Sequence, residues 1–279
     1  MIGLLRVVHP FPSALDALAA IAIALIAGAP VGLALRLGLG MLGLQFAIGA
    51  ANDLADAASD DVAKPGKPIP AGVLSRSAAA GACVAAAGLG LLAAATVGAG
   101  VLAVGVLGLA DGLVYDLRRK GTPLAWAAFA AGVGLLPLYA WLGARGSVPA
   151  AFLGVVVLAF LAGATLALAN AYADLERDRR SGTVSAATIL GARRTLVANA
   201  FLLASIQIVV VATTLATMGA TPLLAAEAGG CGLGWVGLGL AGVSGDRGRT
   251  LVWEVQAVGV LVLGAAWLAM LSSAGLLNG

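Results

Sequence analysis

Apolar residues run along this chain in long blocks rather than in stripes. From about residue 14 to residue 275 the blocks are broken only by short polar or glycine–proline links. No long stretch carries the one-sided apolar face that a helix packed between core and water needs. Blocks of roughly 20 apolar residues are the length that crosses a bilayer as a helix. The pattern predicts an all-α, polytopic membrane bundle of about nine transmembrane helices. Their expected extents are approximately 14–34, 37–55, 77–97, 99–117, 123–143, 149–173, 195–216, 221–242 and 251–275. The links Gly28-Ala29-Pro30, Gly98-Ala99-Gly100, Gly143 to Pro149 and Gly219 to Pro222 supply the turn chemistry between blocks.

Composition narrows this further. With 61% hydrophobic and 10% charged residues among 279, and a mean hydropathy of +1.03, a water-soluble globular fold is excluded. Forty glycines suit helices that approach closely in lipid. The whole chain, 1–279, is expected to form a single integral-membrane domain, and its first apolar block, long for a signal peptide, is retained as a span. Cys83 and Cys231 stand alone in apolar stretches, without metal or redox spacing, and are expected to pack. His9, before Pro10, is expected at the membrane interface. Trp126, Trp141 and Trp253 fall near span ends, where interfacial aromatics sit.

Charge sets orientation. With nine spans the links alternate sides. Arg6, Lys64, Lys67, Arg76, Arg118, Arg119, Lys120, Arg177, Arg179, Arg180, Arg193, Arg194, Arg247 and Arg249 then share one side, 14 of the 16 basic residues, against Arg36 and Arg145 on the other. The positive-inside rule predicts a cytoplasmic N-terminus and basic side, with the C-terminus outside. A net charge of +3 distributed in this way is an orientation signal and not a nucleic-acid footprint.

The acidic residues resist that explanation, because Asp and Glu contribute little to orientation. Seven of the 13 lie in two short runs, Asn52 to Asp61 and Asp174 to Asp178, both on the expected cytoplasmic side. On a helix Asp53, Asp56 and Asp60 follow an i, i+3, i+7 spacing, and Asn170, Asp174 and Asp178 follow i, i+4, i+8, one face in each case. Each run follows the second helix of a set of four, which points to two related halves. Carboxylates beside a bilayer are costly and mark function. Hard oxygen donors of this kind suit Mg²⁺, which is held by one or two carboxylates plus substrate phosphates. Basic residues follow each run, and Tyr115 to Lys120 adds more between the halves. Acid for metal and base for phosphate describe a diphosphate site. Asp16 and Glu227 lie inside spans and carry no assigned role, and Asp111 lies one turn before Tyr115.

These residues resemble a known family. Asn52-Asp53-x-x-Asp56-x-x-x-Asp60, followed by Lys67-Pro68-Ile69-Pro70-Ala71-Gly72, is similar to the first signature of the UbiA-type intramembrane prenyltransferases. Asp174-x-x-x-Asp178, with Tyr172 before it and Arg179-Arg180-Ser181-Gly182-Thr183 after it, resembles the second, and Tyr115 to Lys120 resembles the link between the fourth and fifth helices. Arg6 resembles a family basic residue near the first span. The resemblance implies a Mg²⁺-dependent enzyme that transfers an isoprenyl group from its diphosphate to a lipophilic acceptor, aromatic in the commonest case. It implies Asp53, Asp56 and Asp60 on one metal and Asp174 and Asp178 on another. Asn52 and Asn170 would line the pocket, and Lys64, Lys67 and one of Arg118, Arg119 or Lys120 would hold the diphosphate. Tyr115 or Tyr172 would offer a ring face to an allylic cation. Lys64 stands where arginine is common in the family, and Glu176 is an additional carboxylate. Membrane lipid is the implied surrounding, with no nucleic-acid or obligate protein partner.

Three rivals share some of these features. A terpene cyclase of the same fold would release diphosphate without an acceptor. A transporter or lipid-binding protein would use paired acids for coupling ions, nearer the midplane than these lie. A CDP-alcohol phosphotransferase would gather its acids in one contiguous motif, whereas here about 120 residues separate the two runs.

Overall fold

The computed structural model describes residues 7–242 and 246–277, apart from the side chains of Ser59, Val62, Ala63, Asp246 and Arg247. Arg6 and the Arg247 side chain, both counted toward orientation, lie outside the described residues. The described chain is helical throughout: α1 (Pro10–Ile26), α2 (Val31–Ala63), α3 (Arg76–Val97), α4 (Ala99–Val114), α5 (Ala125–Arg145), α6 (Phe152–Ser181), α7 (Ala186–Leu190), α8 (Ala192–Met218), α9 (Pro222–Gly239) and α10 (Asp246–Ser273). Eight helices are long and apolar enough to span a membrane, and α1, with 17 residues, is at the short end of the spanning range.

Two boundaries differ from the sequence expectation, and each has a local cause. The first break falls at 27–30 rather than near 35, because Gly28 takes φ 89° and Pro30 has no N–H with which to continue a helix. The second span does not stop near 55 but runs to Ala63, since the acidic run is itself helical. The short helix α7 follows from a capping box in which Ser185 and Thr188 satisfy each other's backbone N–H groups.

The two helices carrying the acidic runs are the longest among the described residues, with 33 and 30 residues. At 1.5 Å per residue they reach about 50 and 45 Å, against a hydrocarbon core of about 30 Å. Each therefore has an apolar body and a polar end of several turns that need not lie in lipid.

The chain groups into two compact units. The first comprises residues 1–120 and 138–147, and the second 121–137 and 148–279. In the first unit α2 and α3 cross at glycine. A Cβ added to Gly90 would lie 2.8 Å from Leu44 N and 2.9 Å from Gly40 O, and one on Gly43 would meet Gly90 at 3.0 Å. Such crossings replace a hydrophobic driving force that lipid does not supply. Trp141, expected at an interface, is instead 1% exposed in this unit, with the Arg145 guanidinium 6.0 Å from its ring centre. Cys83 packs as expected, its Sγ 3.3 Å from Ala47 O.

In the second unit α9 and α10 cross through Gly230 and Gly259, where an added Cβ at Gly230 would lie 2.7 Å from Leu263 N. Polar groups on α8 pair with groups on α6, α9 and α10. Asn199 and Gln256 exchange amide hydrogen bonds of 3.2 and 2.9 Å, and Asn199 also donates to Thr165 O at 2.7 Å. Trp235 donates to Gln207 and Trp267 to Thr213, each at 2.8 Å, while Thr214 donates to Glu227 at 2.6 Å. With no water to turn to, each unmade bond would cost several kcal/mol. Glu227 joins α9 to α8 through Oε1, while its Oε2 is buried with no hydrogen-bond partner among the described residues.

The glycine crossings give a stability test in detergent. Gly90→Ala and Gly230→Ala are expected to cost about 1–3 kcal/mol each through overpacking. Gly108→Ala, where an added Cβ meets nothing within 4 Å, is expected to be neutral or slightly stabilising. Equal melting temperatures for all three variants would refute the close-approach reading.

Candidate active site

The first acidic run ends α2. Asp53 and Asp60 lie one above the other, two turns apart, and are only 3% and 5% exposed. The loop after the helix is stiffened by Pro65, Pro68 and Pro70 and closed by successive turns, Lys67 N to Lys64 O at 2.9 Å, Ala71 N to Lys67 O at 2.9 Å and Leu74 N to Pro68 O at 3.0 Å. It folds back along α2 and returns Lys67 to the helix. The Lys67 ammonium lies 2.7 Å from Asp53 Oδ1 and 2.6 Å from Asp60 Oδ2, one cation shared by two buried carboxylates. Burial alone would lower its pKa, but its contacts with Asp53 and Asp60 outweigh that and hold it above the ordinary value of 10.5.

Asp56, a turn along, pairs with Lys120. A π-helical turn, Tyr115–Arg119, makes this possible. Lys120 N bonds to Tyr115 O at 2.7 Å across five residues, the wider ring of a π turn, which rotates the following residues relative to an α-helix. Asp116 is thereby buried, 7% exposed, and accepts 2.7 Å from the Asn52 amide, while its Oδ2 has no hydrogen-bond partner among the described residues. His9 Nε2 lies 3.0 Å from Asp53 Oδ1, so this histidine meets the acidic run rather than simply marking an interface.

Two participants were missed from sequence. Asp116 lies within the Tyr115–Lys120 motif, where the basic residues are the more conspicuous signal. His9 lies 44 residues from its partner and carried only one local signal, the His-Pro step into the first helix. Of the other expected residues, Arg118 and Arg119 are exposed on the π turn, Tyr115 is half-buried, and Lys64 closes α2 through its N–H to Asp60 O at 2.7 Å.

The second acidic run ends α6, in the second unit. The helix is unbroken to Ser181, so Asn170, Asp174 and Asp178 share a face and are all half-buried. Gly182 stops it with φ 71°, Thr183 N bonding to Asp178 O at 2.9 Å, which explains the Ser-Gly-Thr after the acids. Asp174 pairs with Arg177. Glu176 points elsewhere, to Arg179 at 3.1 Å and Arg249 at 3.9 Å. These ion pairs are more than a quarter exposed and worth little to stability. The Tyr172 hydroxyl donates to Ala241 O at 3.2 Å.

No cluster of three His, Cys, Asp or Glu suited to a metal occurs among the described residues. A smaller donor set does. Asp53 and Asp60 already surround one cation with buried, hard oxygens, and a divalent ion that keeps waters and shares phosphate oxygens needs no more than two protein carboxylates. The residues present fit such an ion.

The apolar helices define an integral, multi-pass membrane protein. Residues 14–250 match the UbiA prenyltransferase family, and the chain belongs to it. No curated protein matches the sequence significantly. Solved structures share the fold at low identity. A UbiA homologue from Archaeoglobus fulgidus bound to GPP and Mg²⁺ is 20% identical with TM-score 0.72, covering 95% of this chain and 99% of its own. An apo UbiA homologue from Aeropyrum pernix K1 is 20% identical with TM-score 0.72, over 94% and 97%. A digeranylgeranylglyceryl phosphate synthase is 16% identical with TM-score 0.68, over 95% and 96%.

The shared lysine gives a second test. Lys67→Met leaves two buried carboxylates without their cation and is expected to cost about 3–5 kcal/mol. The folded pKa of Lys67 lies above the unfolded one, so its contribution is complete below the ordinary value of 10.5 and is lost as pH rises through the folded value. The stability gap between wild type and Lys67→Met, read from melting curves, is therefore expected to stay level from about pH 7 to about pH 10 and to close only above that. A gap that closes near neutrality would contradict the shared-cation geometry.

Proposed function

We propose that the chain is a Mg²⁺-dependent intramembrane prenyltransferase, working as one functional domain. It would move an isoprenyl group from an isoprenyl diphosphate to a lipophilic, commonly aromatic, acceptor and yield a membrane lipid or quinone precursor. The observation that carries this is the buried Asp53–Lys67–Asp60 triad at the end of an overlong apolar helix, in a chain of the UbiA family. In the relatives with bound ligands, the isoprenyl diphosphates are GPP and DMAPP, each with Mg²⁺.

In this reading Asp53, Asp56 and Asp60 would hold one Mg²⁺, and Asp174 and Asp178 would hold another. When bound, the ions neutralise the diphosphate and make it a leaving group, so that the allylic C–O bond ionises. Lys67 and Lys120, which here pair with the carboxylates, would be the groups available to diphosphate oxygens once an ion takes those carboxylates, together with Lys64, Arg118 and Arg119. Asn52 and Asn170 orient polar groups at the pocket wall. The Tyr115 and Tyr172 rings face the developing allylic charge. The apolar helices keep water from trapping that charge before the acceptor attacks. The charge distribution supports a cytoplasmic N-terminus and acidic side, with the C-terminus outside.

The test is turnover of labelled geranylgeranyl diphosphate by purified protein, with aromatic acids, a prenylated glycerol phosphate and a lipid extract as acceptors. A Mg²⁺-dependent prenylated product is expected, with kcat falling by about 100-fold or more in Asp53→Asn and in Asp174→Asn. Diphosphate release with hydrocarbon products only would make the chain a cyclase. Mg²⁺-independent turnover, or variants as active as wild type, would overturn the proposal.

A further inference from the structure

His9 stands at the threshold of α1 with φ 47° and ψ 70°, the one described non-glycine residue in the left-handed region. Strain of that kind persists only where the surroundings over-determine it. Here three features do so. Val7 and Val8, immediately before it, are 0% and 8% exposed. Ser13 ties the segment down from the first turn of α1, its hydroxyl donating to Val8 O at 2.9 Å and its N–H to His9 O at 3.3 Å. Gly49 on α2 then provides a notch. A Cβ there would lie 3.0 Å from the Val8 carbonyl and 3.2 Å from the His9 ring. Gly49 and Asp53 are i, i+4 neighbours, so the notch and the carboxylate share a face of α2.

The result of this construction is one contact, His9 Nε2 to Asp53 Oδ1 at 3.0 Å. A carboxylate only accepts, so the imidazole proton must lie on Nε2. Oδ1 of Asp53 also receives Lys67 at 2.7 Å. Two donors from outside α2 therefore converge on one oxygen. Lys67 comes from the loop after α2, while His9 sits on the segment before α1. If Lys67 moves away, His9 still restrains the Asp53 carboxyl.

We propose that His9 is a positioning residue for the first acidic motif, holding the Asp53 carboxylate in its cation-binding orientation through Nε2–H to Oδ1. The proposal rests on the metal reading above. It goes beyond the family match, since His9 precedes residues 14–250 over which that match extends. Ligating carboxylates are commonly held by hydrogen bonds of this kind, and losing one typically costs about 10–100-fold in metal affinity.

The test is Mn²⁺ binding followed by electron paramagnetic resonance on the full chain in detergent, with and without inorganic diphosphate. The comparison set is wild type, His9→Leu, His9→Gln and Gly49→Ala. His9→Leu, which keeps bulk but lacks the donor, is expected to bind Mn²⁺ about 10–100-fold more weakly at an unchanged melting temperature. His9→Gln is expected to recover much of that loss, because its amide N–H can replace the imidazole. Gly49→Ala, which crowds the Val8 backbone and the His9 ring, is expected to weaken Mn²⁺ binding as His9→Leu does and, like the other close-approach glycines, to lower the melting temperature. In turnover, His9→Leu should raise the Mg²⁺ concentration for half-maximal rate while leaving kcat at saturating Mg²⁺ within a few-fold of wild type. Equal Mn²⁺ affinity in His9→Leu, His9→Gln and wild type would overturn the inference and leave the metal reading standing. A wild-type chain that binds no Mn²⁺ either with or without inorganic diphosphate would overturn both.

Discussion

Two carboxylates buried at the end of an apolar helix are the constraint on which the rest of the first unit depends. An ionised group removed from water is tolerated only with a counter-charge and hydrogen bonds at close range. Asp53 and Asp60 meet that demand with a single ammonium, Lys67. The proline-stiffened loop, its chain of turns and the helical continuation of α2 to Ala63 all serve to bring that ammonium back. Were α2 to end where its hydropathy ends, Asp60 would have no helical register with Asp53 and the two could not share a partner.

The apolar body of the helices answers a different demand. In lipid, helices do not attract one another through loss of hydration, so contact must come from close approach and from polar groups that have no other partner. Both are present, and they are distributed differently. The first unit relies on glycine crossings, with Gly40, Gly43 and Gly90 in one seam. The second adds a set of amides, indoles and hydroxyls around Asn199, Gln207 and Gln256. Rigid bodies of this kind allow the polar helix ends to keep their geometry, because a carboxylate aims only as well as the helix beneath it.

Much of this was legible from sequence, for physical reasons that differ by level. The helices were legible because apolar length is dictated by bilayer thickness, and the acidic runs because Asp is costly there. The i, i+3, i+7 spacing of Asp53, Asp56 and Asp60 correctly implied one helix, which put the carboxylates in reach of Lys67. Register across distant segments was not legible. The His9–Asp53 contact depends on a left-handed residue and on Gly49, one glycine among 40 with no local mark of its purpose. Asp116 escaped for another reason. Its burial is set by a π turn, and the sequence Tyr-Asp-Leu-Arg-Arg has no feature that separates a π turn from the end of an α-helix. Trp141 was misjudged because proximity to a span end says nothing about which neighbours cover the ring.

Charge balance ties these levels together. At the first acidic run Asp53 and Asp60 share the Lys67 ammonium, and Asp56 pairs with Lys120. A monovalent ammonium is a poor match for two carboxylates, since it can neutralise only one. A divalent cation would correct that deficit, and the displaced ammoniums would then be surplus positive charge beside it. Surplus cations next to a hard dication are what a polyanionic leaving group needs, and they would be supplied by the same side chains that hold the carboxylates together before it arrives. On the proposed function, the ion pairs of the resting chain and the charge demanded by diphosphate departure would be two settings of one set of residues.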